Sequence, residues 1–167
     1  MTCLKVTKWC RVGVTITSLD ETFRKILEPY TANYKQRIRV LEILKDYGIS
    51  TYLSCEPIMT VEESNPLPLV KRLRDVVDLF EFGKYNRQRK YDYTSKVLKF
   101  KKNDKFYCTL FNKVKKYCNK NEIEYCISSH SRPFFIKHKL PFKPYPLLNP
   151  KPIMQQKTLK DFLEYTN

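Results

Sequence analysis

Glycine is scarce: three residues in 167, against twelve tyrosines and ten phenylalanines. So few glycines and so many rings favour ordered elements over flexible linkers, and a hydrophobic share of 42% excludes the low-hydropathy class that stays disordered. No apolar run approaches the roughly 20 residues needed to span a bilayer, and the N-terminus lacks the basic, apolar and small-residue succession of a signal peptide. The expected location is therefore the cytoplasm or the nucleoid, with no membrane partner. Close cysteine pairs are also missing. Cys3, Cys10, Cys55, Cys108, Cys118 and Cys126 nowhere form the C-x-x-C spacing of a zinc or iron–sulfur site. In a reducing compartment such thiols are expected to be small core residues rather than disulfides.

Acidic residues are outnumbered, 17 against 32 lysines and arginines, for a net charge of +15. Such a surface attracts polyanions because each neutralised phosphate releases condensed counterions. Nucleic acid is the expected partner; the alternative is a solvated basic surface that serves solubility. At this length the chain suits one domain with a real core.

Hydrophobic periodicity gives the elements. Val12, Val14 and Ile16 alternate with Gly13, Thr15 and Thr17, predicting a strand with one apolar and one small polar face. Ser18-Leu-Asp-Glu21 reads as a capping box ahead of a helix that ends at Pro29. A second helix is expected from Lys35 to Tyr47, with Gly48 placed to terminate it. Ile49 to Cys55 predicts a second strand ending in Glu56-Pro57, with Ser50, Tyr52, Ser54 and Glu56 on its polar side. A helix from Leu67 to Val77, a short strand from Leu79 to Phe82 stopped by Gly83, a helix from Lys105 to Asn121 and a strand from Ile123 to Ile127 follow. Alternation of this kind argues for parallel strands joined by right-handed crossovers.

Strands covered by helices on both faces normally read apolar on both. Here the first two strands each carry a polar face, and Glu81 stands opposite Phe80 and Phe82. Polar faces that share an interior suggest a ligand cavity; the alternative is an open sheet with one wetted face.

Several of these segments resemble the radical S-adenosylmethionine (SAM) superfamily, in its spore-photoproduct-lyase-like branch. Val12-Gly-Val-Thr-Ile-Thr-Ser-Leu-Asp-Glu21 with Leu27-Glu-Pro29 is similar to that branch's fourth barrel strand and following helix. Asp46-Tyr-Gly-Ile49 and Ser54-Cys-Glu-Pro-Ile58 resemble the entry and exit of the fifth strand. Glu81-Phe-Gly-Lys-Tyr-Asn86 resembles the sixth-strand exit, and Glu122-Ile-Glu to Ser129-His130 the closing strand. The resemblance implies an α/β fold that is a partial parallel βα-barrel, the second half of a radical SAM barrel, with a proline-rich C-terminal tail. It also implies that Thr15 and Thr17 face the carboxylate or ribose of SAM, that Glu56 meets its amino group, and that Glu81 is a further interior polar contact. The C-x₃-C-x₂-C loop that holds three irons of a [4Fe–4S] cluster is absent from the sequence. The cluster is accordingly expected on an N-terminal half, encoded separately or lost by truncation, and this chain is not expected to be catalytic alone. A half-barrel subunit or a homodimer would complete the ring.

Lys84, Arg87, Arg89 and Lys90 alternate with Tyr85 and Tyr91, cations for phosphates interleaved with rings for bases, which predicts a single-strand nucleic-acid platform. The C-terminal peptide is similar to the sliding-clamp (PCNA-type) binding motif, with Gln156, Leu159, Phe162 and Leu163 at its spacing. One helical turn would set the three apolar side chains on one side, a helical-anchor mode of peptide recognition. Five prolines between Leu140 and Pro152 predict the tether that presents it. The expected organisation is a βα domain over 1–140, a tether over 141–152 and a clamp peptide over 153–167. Such a chain would be the C-terminal portion of a radical SAM DNA-repair or DNA-modifying protein, with an archaeal or eukaryotic-type replication system as its setting. The alternative is a non-catalytic adaptor that binds nucleic acid and the clamp.

Overall fold

The computed structural model of the protein describes residues 10–85, 103–143 and 145–146. Of the expected functional residues, Arg87, Arg89, Lys90 and Tyr91 and the clamp set Gln156, Leu159, Phe162 and Leu163 lie outside the described residues.

The chain is α/β. Four strands, β1 (Arg11–Thr15), β2 (Ser50–Ile58), β3 (Leu79–Lys84) and β4 (Tyr125–Ile127), form one parallel sheet in the order β1-β2-β3-β4. Among the described residues five helices connect and follow them: α1 (Glu21–Leu27), α2 (Tyr34–Asp46), α3 (Leu67–Leu73), α4 (Asp104–Lys120) and α5 (Arg132–Lys137). Sequential strand order has a consequence. Right-handed crossovers that always step in the same direction lay every helix on the same face of the sheet.

The core records this one-sided winding. Leu53 and Cys55 of β2, Phe80 and Phe82 of β3, and Tyr125 and Ile127 of β4 share one buried cluster with Ile38 and Leu41 of α2, Leu69, Val70 and Leu73 of α3, and the inner stripe of α4. That stripe is Tyr107, Leu110, Phe111, Val114 and Cys118, a helical repeat on one side. Cys55 and Cys118 are therefore packing residues; burial pushes the Cys55 thiol well up and the Cys118 thiol to about 12.

Local signals explain most boundaries. Gly48 adopts φ 71°, and Ile49 and Gly48 donate to the carbonyls of Leu44 and Lys45 (both 2.9 Å), a Schellman ending at the expected residue. The start of α1 differs from expectation. Its cap is Asp20, which accepts from Phe23 N at 2.9 Å, because Ser18 is engaged in the loop, donating to Glu63 O and accepting from Asp20 N. The capping box belongs instead to α2, between Asn33 and Gln36. β2 runs past Glu56-Pro57 to Ile58, because a register irregularity between Cys55 and Ile58 absorbs the proline's missing donor. α3 stops at Leu73 rather than Val77, and β3 continues through Gly83 to Lys84.

The first part of the proline-rich segment lies against the sheet. Ile127 N donates to the Lys143 carbonyl at 3.1 Å on the outer edge of β4, and Leu140 and Phe142 pack against the core. The ordered unit therefore extends beyond 140, and residues 141–143 act as an edge cover. At the other edge, Arg37 donates to the outward carbonyl of Thr15 at 2.6 Å. Each of these contacts satisfies one outward backbone group of an edge strand.

Candidate functional site

The face of the sheet away from the helices carries the polar side chains, as alternation requires. Register aligns Thr15, Ser54, Glu81 and Cys126 in one row across all four strands. Toward the strand C-termini, Glu56 extends over Gly83, where a Cβ would collide with the Glu56 carboxyl group. The absent side chain lets that carboxylate cross β3 and accept a hydrogen bond from Ser128 Oγ at 2.9 Å. Gly83 is thus part of the site and not simply a strand stop.

Glu81 stands in this group with its carboxyl held above the ordinary carboxylate range, first by burial and then by the nearby charge of Glu56; His130 and Arg132 oppose the shift. Neighbouring Cys126 is buried, which raises its thiol to about 12. Arg132, at the start of α5, brings a guanidinium to the same end; its Nε is buried with no hydrogen-bond partner among the described residues. Toward the strand N-termini the face is closed by rings. Tyr52 lies across Gly13, Tyr145 meets Tyr52 edge-on at 6.5 Å, and the Arg11 guanidinium lies 5.9 Å from the Tyr145 ring centre. The face thus carries polar groups toward the strand C-termini and rings toward the N-termini.

The structure brings Thr15, Glu56 and Glu81 to this face and turns Thr17 away from it. Thr17 is buried and donates to Glu28 Oε1 at 3.1 Å, and Glu28 pairs with Arg37 at 2.6 Å. Thr17 therefore ties the first strand exit to the segment before α2. Lys84 also points elsewhere: its ammonium lies 5.7 Å from the Tyr107 ring centre and 5.3 Å from that of Phe134, on the helix side. Tyr85 N donates to Ile58 O at 3.0 Å, fixing the strand exit. Sequence reasoning missed Arg132, Ser128 and the role of Gly83. A sequence signal existed only for Arg132 and Ser128, which flank Ser129-His130-Ser131 directly after the last strand.

The raised Glu81 carboxyl has a testable sign. Between the ordinary carboxylate range and the raised folded value the folded chain holds a proton that the unfolded chain releases, so stability falls as pH rises through that window. Glu81→Gln is expected to raise the melting temperature at pH 7 and to change it little at pH 3. An equal effect at both pH values in thermal melts would remove the electrostatic explanation.

Compared with family models, curated proteins and solved structures, the chain matches none. Among the described residues no helix is long and apolar enough to cross a membrane.

Proposed function

We propose that this sheet is an arc of a βα-barrel of the radical SAM type, and that its polar face forms one wall of an S-adenosylmethionine pocket in a DNA-repair or DNA-modifying protein. One observation carries the reading: four parallel strands in sequential order, α2 to α5 packed on one side among the described residues, and carboxylates, hydroxyls and an arginine gathered at the C-terminal ends on the other. Ligands of βα-barrels sit at that end of the strands.

The residues fit such a ligand. Its amino-acid end offers an ammonium and a carboxylate. Glu56, seated in the space left by Gly83, suits the first, and Arg132, whose buried Nε has no hydrogen-bond partner among the described residues, suits the second. Thr15 and Ser54 offer hydroxyls to a ribose, and Glu81 adds a second carboxylate beside a cationic sulfonium. SAM supplies a cleavable sulfonium, and the electron for cleavage comes from a [4Fe–4S] cluster. The C-x₃-C-x₂-C loop that would hold the cluster does not occur in the sequence, so the proposal places the cluster on a completing half-barrel, either a partner subunit or further chain. This chain's own residues bind and orient the ligand and exclude water from one wall. The C-terminal peptide would hold the assembly at a sliding clamp on DNA.

The test uses S-adenosylhomocysteine, which cannot be cleaved, followed by calorimetry and by NMR shifts. Saturable binding is expected. Glu56→Gln should weaken it by about 10- to 100-fold, since a hydrogen bond to a charged group is worth about 1.5–3 kcal/mol. Gly83→Ala should weaken it similarly by pushing the carboxylate aside while the chain stays folded. Full binding by Glu56→Gln, or binding that Gly83→Ala leaves unchanged, would remove the pocket.

A further inference from the structure

The outer surface of α4 has a composition that packing does not require. Its exposed positions are Lys105, Thr109, Asn112, Lys113, Lys116, Asn119 and Lys120, a single stripe with four lysines and no acidic residue. None of these lysines has a carboxylate within ion-pair distance among the described residues. Lys71 of α3 extends the stripe sideways, its ammonium 5.7 Å from the ring centre of Tyr117. Lys113, Lys116 and Lys120 stand roughly 4.5 and 6 Å apart along the helix axis at 1.5 Å per residue, and the stripe from Lys105 to Lys120 is about 22 Å long. Acidic side chains stand only at its two ends: Asp104 at the first turn of α4 pairs with Lys137 and His138, and Asp75, Asp78, Glu122 and Glu124 line a depression with Arg74 beyond the last turn.

We infer that the α3–α4 face, through Lys71, Lys113, Lys116 and Lys120, docks on the phosphate backbone of a nucleic-acid duplex. Charge complementarity names a polyanion, and the local charge adds to a chain-wide excess of +15. The side chains name the duplex. A single strand is held by rings that stack on its bases, whereas this stripe offers only ammonium, amide and hydroxyl groups on a rigid helix. Such groups position a protein on phosphates without reading sequence. The face lies on the helix side, opposite the candidate pocket, so duplex and ligand can be held together. The inference takes from the proposed function only that nucleic acid is a partner; ligand titration and duplex titration fail separately.

The experiment is fluorescence anisotropy of the full chain with a 20-base-pair duplex, and with the matching single strand, across a series of salt concentrations. The variant Lys71→Gln/Lys113→Gln/Lys116→Gln/Lys120→Gln is compared with an equal charge loss elsewhere, Lys25→Gln/Lys35→Gln/Arg39→Gln/Lys139→Gln. All eight positions are exposed, and both variants are expected to melt near the wild-type temperature. Removing four phosphate contacts should lower the slope of log affinity against log salt by about 3 to 4 and weaken duplex binding about tenfold or more. The control should change the slope by less than half as much. Equal effects of the two variants would show diffuse attraction and overturn the site. A loss for the α4 variant as large on the single strand as on the duplex would overturn the duplex assignment. In a parallel titration with phosphatidylserine vesicles, a loss for the α4 variant there with duplex binding unchanged would reassign the face to a membrane surface.

Discussion

Phe82→Ala is expected to destabilise the fold by about 3–5 kcal/mol, the largest effect of any single substitution considered for this chain. Phe82 is fully buried on the helix-facing side of β3. Its ring stacks on Phe80 with centres 6.3 Å apart and meets Tyr125 at 6.2 Å, and its backbone stands in register between Cys55 and Ile127. It also borders a void of about 10 Å³ lined by Phe111, Val114 and Phe135. A void of that size holds at most one water. Truncation would therefore enlarge an existing gap between a sheet and two helices that are already pinned by their other contacts, and the neighbours can collapse only in part. Native stabilities of about 5–15 kcal/mol make such a loss a large fraction of the total. The melting temperature should fall by about 10–20 °C. Val12→Ala, on the exposed edge of β1, is the control and should cost less than about 1 kcal/mol. A loss for Phe82→Ala as small as the control's would mean that this side of the sheet is not the core.

Much of that side was legible in the sequence. Alternation alone separated Leu53 and Cys55 from Ser54 and Glu56, and Phe80 and Phe82 from Glu81, and burial follows the same division. The alternation of strands and helices gave the parallel sheet. Gly48 marked the end of α2 because only its αL conformation closes a Schellman ending without strain. What escaped was set by neighbours distant in sequence. Gly83 read as a stop signal because its use, making room for Glu56, depends on a cross-strand register that no local pattern contains. Thr17 continued the strand pattern, yet its hydroxyl found Glu28 eleven residues on. Arg24, which no pattern in the sequence singles out, is buried and bonded to Glu21 and to the carbonyls of Glu28 and Thr31 at 2.7–2.9 Å. α5 was missed because six residues, Arg132–Lys137, are too short for a helical period to emerge. The edge cover was hidden by composition: prolines between Leu140 and Pro152 suggest a tether, while Leu140, Phe142 and Tyr145 among them carry the packing.

The double variant Leu159→Ala/Phe162→Ala is expected to weaken binding of a PCNA-type sliding clamp by at least 100-fold. The proposed clamp peptide places Gln156, Leu159, Phe162 and Leu163 at steps of three, three and one. On a helix of 3.6 residues per turn these positions would share one side, so the apolar three would enter one pocket together while the glutamine reached a polar one. Energy in such an anchor concentrates in the few side chains that are fully desolvated, about 2 kcal/mol or more for each. Two deletions of that size multiply to a loss of two or more orders of magnitude. Gln156→Ala should cost less, because a neutral hydrogen bond contributes about 0.5–1.5 kcal/mol. Calorimetry of the full chain against the purified clamp separates these cases. Truncating both apolar anchors with no change in affinity would remove clamp tethering. It would leave the pocket face and the α4 stripe untouched, since neither depends on those residues.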